Sequence, residues 1–327
     1  MIKILKAFAL LLFAAGLLFS AWAAIGLSIY FTAQNENRLP PAGEFIKGPD
    51  SFSFAVISDS GMRDEPLDLI LKEIKTKDIK FIFHLGDQAR ALSINHFEYL
   101  LQFLDARLGD IPFYAVPGNH DITKSGRTSS LYYKRAFGQM NYYFSYGSTL
   151  FVILNTADGR FGKEQQIWLE GTLARLRNGF KNCVVLMHVP PVDPRPNEKY
   201  AMEGDINELQ AILTKYKITC IIAGHIHEYN EGAFAGIPLY IAPPSGQKMR
   251  GNTQKYGYLL CGIDKADKLS IKKIDVTNKL GRNYLMAALA TDLDGIKSAI
   301  IAFACLIASF VTIFAAASLA GKKVKSS

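Results

Sequence analysis

The sequence predicts an α/β fold built on a parallel sheet with apolar segments at each end, and one observation predicts the ends while two predict the sheet. Short apolar runs suited to strands alternate with stretches of helical periodicity. Every cluster of ligand-capable polar residues falls just after one of those runs. The two ends of the chain carry long uncharged apolar stretches that stand apart from the middle. Strand–helix–strand alternation implies parallel pairing, and open α/β sheets carry their sites at the carboxyl ends of strands.

Of the 327 residues 49% are hydrophobic, and the mean hydropathy of +0.10 is high for a soluble enzyme. The excess sits at the ends. Lys3 and Lys6 precede an uncharged stretch from Ala7 to about Ala33, and a second runs from Ser298 to Ala320 between Lys297 and Lys322, Lys323 and Lys325. A helix of about 20 apolar residues crosses a bilayer core, so both are long enough to span, and a buried core helix would rarely stay free of charge for so long. A cleaved signal is the alternative for the first, because Ala21-Trp22-Ala23 resembles a cleavage site. The apolar run continues through Ile25 to Phe31, which favours an uncleaved anchor. The lysines that end the tail argue against a lipid-anchor signal. Positive residues beside spans stay cytoplasmic, so both termini are expected inside and the segment between the spans outside, in a periplasm or another extracytoplasmic space. The expected organisation is an anchor at 1–33, a tether at 34–50, a catalytic domain at 51–276, a connector at 277–296, a second transmembrane helix at 297–321 and a cytoplasmic tail at 322–327.

Six of the 37 Lys and Arg flank those stretches, which leaves 31 against all 29 acidic residues and a charge of about +2 for the globular part. That is no nucleic-acid footprint, and no nucleic-acid partner is expected. Cys183, Cys220, Cys261 and Cys305 are spread singly, three in strand-like runs and one in the second span. They read as buried small hydrophobes, not as a disulfide framework.

Within the globular part, Phe52 to Ser58 reads as a strand ending in Asp59. Leu67, Ile70, Leu71 and Ile74 recur at helical spacing. Ile79 to Leu85 is a second strand, ending in Gly86-Asp87, and Phe97, Leu100, Leu101 and Leu104 mark another helix. Ile111 to Val116 ends in Pro117-Gly118-Asn119-His120. Tyr142–Tyr146 and Leu150–Leu154 read as a hairpin through Gly147. Glu164 to Leu176 reads as a helix, and Val184 to Met187 leads into His188. Asp205 to Tyr216 is helical with Asp205 as N-cap, and Ile218 to Ala223 leads into Gly224-His225-Ile226-His227. The segments Leu239–Ile241, Tyr256–Ile263 and Leu269–Val276 look like antiparallel strands.

Asp59, Asp87, Asn119, His120, His188, His225 and His227 thus sit at five strand ends, beside glycine, proline or a short polar turn, and they include four of the six histidines. Mixed oxygen and nitrogen donors suit Zn, Mn or Fe. A shared carboxylate can bridge two ions about 3.5–4 Å apart, the arrangement used for in-line displacement at phosphorus. His225 and His227, read as alternating on an extended segment, would face one cluster.

These segments resemble the calcineurin-like metallophosphoesterase superfamily, whose pattern is Asp-x-His, Gly-Asp, Gly-Asn-His-Asp/Glu, a lone His and Gly-His-x-His. They stand here as Asp59-Ser60-Gly61, Gly86-Asp87, Gly118-Asn119-His120-Asp121, His188 and Gly224-His225-Ile226-His227. The resemblance implies a four-layer αββα sandwich, here flanked by the two transmembrane helices. It also implies two divalent ions (Mn, Zn or Fe): Asp87 bridging both, Asp59 and His227 on the first, and Asn119, His188 and His225 on the second. A metal-activated hydroxide would attack phosphorus while His120 assists the leaving group. The first motif departs from the pattern, because Gly61 stands where the family has His, so the first metal has three evident protein ligands and is the weaker. Purple acid phosphatases also lack that His but place a Tyr three residues after the bridging Asp; here that residue is Arg90, which can contact substrate phosphate or serve as a surface ion-pair residue.

The expected activity is cleavage of a phosphate ester or pyrophosphate in a phosphorylated small molecule or a lipid or envelope substrate, beside the bilayer. The alternative is a degenerate, non-hydrolytic metal- or phosphate-binding membrane protein. Among the remaining polar residues, His84 reads as a core or supporting histidine, His96 as a cap or surface residue, Asp121 as orienting a neighbour or shaping a turn, and Arg127, Arg195, Lys248 and Arg250 as solvated loop charges that a substrate could meet. Pro190-Pro191 and Pro243-Pro244 read as shaping rim loops.

Overall fold

A computed structural model describes residues 42–49, 51–61, 64–88, 94–122, 127–196, 199–247 and 256–277, all within a unit that ends at Thr277. Both expected membrane spans, the connector, Cys305, Arg90, Lys248 and Arg250 lie outside them, as does the side chain of Arg127. Among the described residues no helix is long and apolar enough to cross a membrane.

The strands are β1 (Phe45–Ile46), β2 (Phe52–Ile57), β3 (Ile79–His84), β4 (Phe113–Ala115), β5 (Tyr142–Tyr146), β6 (Thr149–Leu154), β7 (Asn182–Met187), β8 (Cys220–Ala223), β9 (Asn230–Phe234), β10 (Ile237–Ile241), β11 (Gly257–Ile263) and β12 (Leu269–Asp275). The helices are α1 (Asp64–Lys75), α2 (Ile94–Leu108), α3 (Arg127–Phe137), α4 (Lys163–Leu176) and α5 (Ile206–Lys215). They form two mixed sheets instead of one parallel sheet: a seven-stranded sheet ordered β1-β5-β6-β7-β8-β10-β9 and a five-stranded sheet ordered β12-β11-β2-β3-β4.

Each sheet keeps a parallel run, β2–β3–β4 reaching one edge of the smaller and β6–β7–β8 within the larger, and antiparallel pairs join it at β11–β2, β11–β12, β5–β6 and β9–β10. The expected all-antiparallel tail is corrected at one point, since β10 pairs parallel with β8 and antiparallel with β9. The physical reason is the two-residue turn at Ala235 (φ 52) and Gly236 (φ 79). Both residues are left-handed, the conformation that closes a tight hairpin, and the hairpin returns β10 to the edge of β8. The 34–50 segment contributes β1, which pairs with β5.

The apolar residues explain the layering. Phe54, Phe81 and Phe83 from the smaller sheet meet Phe144, Phe151, Val184 and Ile222 from the larger one in a single buried cluster, with the Phe54 and Phe151 rings 5.3 Å apart, edge to face. The strands here are apolar on both faces because both are covered. On the far side of the larger sheet, Leu169 and Leu173 of α4 and Leu209, Ile212 and Leu213 of α5 pack over Val185, Ile221 and Leu239. Leu67, Ile70, Leu71 and Ile74 of α1 and Phe97, Leu100, Leu101 and Leu104 of α2 are buried as their spacing predicts. Cys183, Cys220 and Cys261 are buried free thiols, and burial raises Cys183 to about 12 and pushes Cys220 and Cys261 up as well. Asp205 does stand at the N-cap of α5, but in the left-handed region and with no side-chain cap bond. The two parallel runs bring the ends of β2, β3, β4, β7 and β8 to one rim, where the polar motifs follow.

Candidate metal centre

The turns after the strands are unusual in backbone before they are unusual in chemistry. Among the described residues, eight non-glycine residues have positive φ, and Asp59 (52°), Asp87 (56°), His225 (68°) and His227 (59°) are four of them. Each such residue costs roughly 1–2 kcal/mol, and strain of this kind persists only where the surroundings over-determine it. His225 and His227 therefore occupy a tight turn, not the extended segment expected. Ile226 is buried between them and its N–H donates to Gly224 O at 2.8 Å.

Three glycines make the close approach possible. A Cβ on Gly118 would overlap Asp87 N and Oδ1. One on Gly224 would overlap Ser58 Oγ and lie 3.0 Å from Asp59 Oδ2. One on Gly86 would lie 2.5 Å from His188 Nδ1.

Within this cradle Asp59 is buried. Its Oδ2 accepts from Ser58 Oγ (2.6 Å) and from the His225 N–H (3.0 Å), and its Oδ1 lies 3.3 Å from His227 Nε2. Burial opposes ionisation of Asp59, yet His227, with His188 and Ser58 behind it, holds the carboxyl well below the usual carboxylate range. Asp87 Oδ1 accepts the His120 N–H at 2.8 Å and lies 3.4 Å from His188 Nε2. The Asp121 carboxylate holds the loops themselves: its buried Oδ2 accepts the N–H groups of both Asp87 and Gly118 at 2.8 Å. Both readings open for Asp121 are met, since it orients its neighbours and its own N–H closes the turn on Gly118 O at 3.1 Å.

His188 is completely buried. Its Nδ1 lies 2.7 Å from Leu85 O, and a carbonyl only accepts, so Nδ1 carries the proton. In that tautomer Nε2 turns its lone pair toward Asn119 Oδ1 at 3.0 Å, His225 Nδ1 at 3.3 Å and Asp87 Oδ1 at 3.4 Å. Lone pairs that converge in this way repel unless a cation lies among them. Asp59 Oδ1 and Asp87 Oδ2 are also buried without a hydrogen-bond partner, and Asp59, Asp87 and His188 each offer a ligand atom within 4.8 Å of the others. Converging N and O donors with orphaned carboxylate oxygens fit a divalent ion.

The structure thus brings Asp59, Asp87, Asn119, His188, His225 and His227 together. His120 stands at the rim, its side chain 54% exposed and its Nε2 3.9 Å from Asp87 Oδ2. Arg90 lies outside the described residues. Arg195 is a partly buried clamp, not a solvated loop charge. Its guanidinium pairs with Asp193 (2.9 Å) and Glu228 (3.3 Å) and lies over the ring of Tyr200. Tyr200 in turn stands 6.4 Å from the His225 ring. His84 is buried, with its Nε2 2.8 Å from Ser60 Oγ, and burial lowers it to about 3, so it is a neutral supporting residue.

Two residues escaped the sequence reading. Ser58 belongs to the strand by pattern, yet it bonds Asp59. Gln247, six residues past the end of β10, carries no motif, yet it is buried against both carboxylate loops. The short Pro-Pro-Ser-Gly-Gln run, with Ser245 N–H on Ser58 O at 2.7 Å, was the available signal.

Comparison with known proteins agrees with this geometry. The family model described as calcineurin-like phosphoesterase matches residues 52–229. A Fibrobacter succinogenes protein named "Probable cyclic nucleotide phosphodiesterase" is 24% identical over 181 residues, covering 54% of this chain and 68% of that one. An Arabidopsis thaliana protein named "Probable inactive purple acid phosphatase 27" is 24% identical over 188 residues, covering 50% of this chain but only 30% of its own length. The structure of a purple acid phosphatase from yellow lupin seeds superposes with a TM-score of 0.56 at 18% identity, covering 68% of this chain and 51% of that one. With the matched region spanning more than half of its length and the motif residues gathered at one rim, the chain belongs to the calcineurin-like phosphoesterase family.

Proposed function

We propose that the chain is a metal-dependent phosphohydrolase that cleaves a phosphate ester or pyrophosphate. The observation that carries this reading is the convergence of buried, unpartnered carboxylate oxygens of Asp59 and Asp87 on the His188 lone pair, with His120 exposed beside them. Asp59 and His227 would hold one cation, Asn119, His188 and His225 a second, and Asp87 both. Bound divalent cations supply a Lewis acid that neutralises phosphoryl charge and makes hydroxide available near neutral pH. The chain's own residues do the rest. Gly118 and Gly224 leave room for close approach at the rim. Asp87 holds the His120 backbone through its N–H, and the exposed imidazole stands at the rim with Nε2 3.9 Å from Asp87 Oδ2. There His120 holds a proton for the leaving-group oxygen.

We further propose that the apolar stretches at 7–33 and 298–320 anchor the chain as a two-pass protein with both termini cytoplasmic and the catalytic domain outside. Substrates are then phosphorylated small molecules or lipid and envelope intermediates met at the membrane surface. Reporter fusions at each terminus test this topology, and an externally exposed C-terminus overturns it.

A second reading, a binding protein without turnover, is favoured by Gly61, which supplies no ligand to the first cation. The test that separates the two is hydrolysis of aryl phosphate mono- and diesters by the full chain with Mn²⁺ or Zn²⁺. Turnover that falls by about 10²–10⁴ in His120→Asn, with metal binding retained, supports the hydrolase. Folded, metal-loaded protein with no turnover supports the binder.

A further inference from the structure

The loop that follows β10 meets the metal centre from beneath, at the two residues whose carboxylates face each other. Gln247 N–H donates to Asp59 O at 2.8 Å, and Gln247 Nε2 donates to Asp87 O at 3.4 Å. The same Asp87 carbonyl accepts the Gly61 N–H at 3.0 Å. One residue, 8% exposed, thus joins, through its backbone N–H to one and its side chain to the other, loops that are 28 residues apart from each other and more than 150 from Gln247 itself. Ser245 extends the join: its N–H donates to Ser58 O, its Oγ accepts the Ser58 N–H at 3.3 Å, and that Oγ donates to Gly257 O at 3.1 Å. Both loops hold their carboxylate residue in the left-handed region, a conformation that relaxes unless its neighbours enforce it.

Gln247 also fills the space beside Gly61. A Cβ on Gly61 would lie 2.5 Å from Gln247 Cγ and 3.1 Å from its Cδ and Nε2. Any side chain at 61 and the present Gln247 side chain therefore compete for one volume, and the Gln side chain holds it.

We propose that Gln247 is a positioning residue of the metal centre: it sets the spacing of the Asp59 and Asp87 loops and, by occupying the room beside Gly61, keeps position 61 from contributing a ligand. The proposal rests on the metallohydrolase reading and adds a residue to it. Its consequence is that positions 61 and 247 are coupled. A ligand at 61 fits only when the residue at 247 is small, and a small residue at 247 alone loses the side-chain bond to Asp87 O and the packing beside Gly61.

The test is Mn²⁺ binding by the full chain in mild detergent, followed by titration calorimetry and by the metal-free melting temperature, for wild type, Gln247→Ala, Gln247→Met, Gly61→His and Gly61→His/Gln247→Ala. Gln247→Ala is expected to weaken the weaker Mn²⁺ site at least tenfold. Gln247→Met, which keeps the volume and loses the bond to Asp87 O, should melt closer to wild type than Ala while still binding Mn²⁺ more weakly than wild type. Gly61→His alone should lower the melting temperature without tightening Mn²⁺. The double variant should bind Mn²⁺ more tightly than Gln247→Ala, a non-additive result. Should Gln247→Ala not fold, the Met variant carries the same comparison. Wild-type affinity in both the Ala and Met variants, or a double variant equal to the sum of the single changes, overturns the proposal. Absence of Mn²⁺ binding by wild type itself sinks the metallohydrolase reading and this proposal with it, whereas binding by wild type with unaffected variants sinks this proposal alone.

Discussion

Removing the Asp121 carboxylate tests how the centre is held together. Its Oδ2 accepts two buried backbone N–H groups, those of Asp87 and Gly118, each at 2.8 Å. Asp121→Ala leaves both donors buried without that acceptor, in a place where Asp87 already sits at positive φ. A hydrogen bond to a charged group contributes about 1.5–3 kcal/mol, and a buried donor left without its acceptor costs its full desolvation penalty. The two bonds share one oxygen and do not add fully, so a loss of about 3–5 kcal/mol is expected. For a domain of this size each kcal/mol moves the melting temperature by about 2–4 °C, which puts Asp121→Ala roughly 10 °C below wild type. Asp121→Asn keeps an acceptor oxygen in place and loses only the charge, so it should fall between the two, about 1–2 kcal/mol below wild type. Urea unfolding of the metal-free chain, paired with Mn²⁺ titration, reads both effects. An alanine variant within about 1 kcal/mol of wild type, or an asparagine variant as unstable as alanine, would refute the view that this carboxylate clamps the two loops.

Three further outcomes follow from the same geometry. Gly224→Ala places its methyl on Ser58 Oγ, so it should destabilise by about 1–3 kcal/mol. Adding Ser58→Ala should recover part of that loss in a thermal melt, and no recovery would show that the overlap lies elsewhere. Burial holds His84 neutral down to about pH 3, below the ordinary histidine value of 6.5. The unfolded chain therefore takes up this proton first, and stability present above pH 6.5 should fall by up to about 1.4 kcal/mol per pH unit as pH drops toward 3. The Asp59 carboxyl is depressed as well, so it adds a further loss below the usual carboxylate range. Urea midpoints from pH 7 to pH 4 should show a shallower slope for His84→Gln, and an unchanged slope would remove His84 from the account. Finally, Mn²⁺ at 100 times its dissociation constant should stabilise the chain by about 2.7 kcal/mol; a melting temperature indifferent to Mn²⁺ and to chelation would contradict the cation site.

The elements with long periodic apolar faces were legible in the sequence because burial imposes the period. Leu67, Ile70, Leu71 and Ile74 mark α1, and Phe97, Leu100, Leu101 and Leu104 mark α2. The site was legible because its residues each close a strand, so their order along the chain lists the strand ends at one rim. What escaped is short or mixed in character. The helix α3, with the sequence RTSSLYYKRAF, buries Tyr133, Ala136 and Phe137 but mixes them with Ser, Lys and Arg, so its face is narrow. The two-residue strand β1 has no periodicity to read. The parallel pairing of β10 depends on a left-handed Ala235, which no side chain announces. Gln247 was invisible for a related reason: a glutamine in a loop has no pattern, and its role exists only once Asp59, Gly61 and Asp87 surround it.

The two functional readings differ in what they ask of His120. A binding protein needs the buried groups, since Asp59, Asp87 and His188 hold the cradle together whether or not anything reacts there. It has no such need of His120. That side chain is 54% exposed, so its imidazole gains little from burial, and the contact that fixes the loop uses its backbone N–H, which any residue but proline would provide. The hydrolase reading gives that exposed imidazole a task, proton transfer to a leaving group, and the binding reading gives it none. The same reasoning makes alanine the sharper substitution for stability. His120→Ala should melt within about 0.5 kcal/mol of wild type while turnover collapses, whereas a variant that loses stability and turnover in proportion would mean that His120 supports the fold and would return the weight to the binding protein.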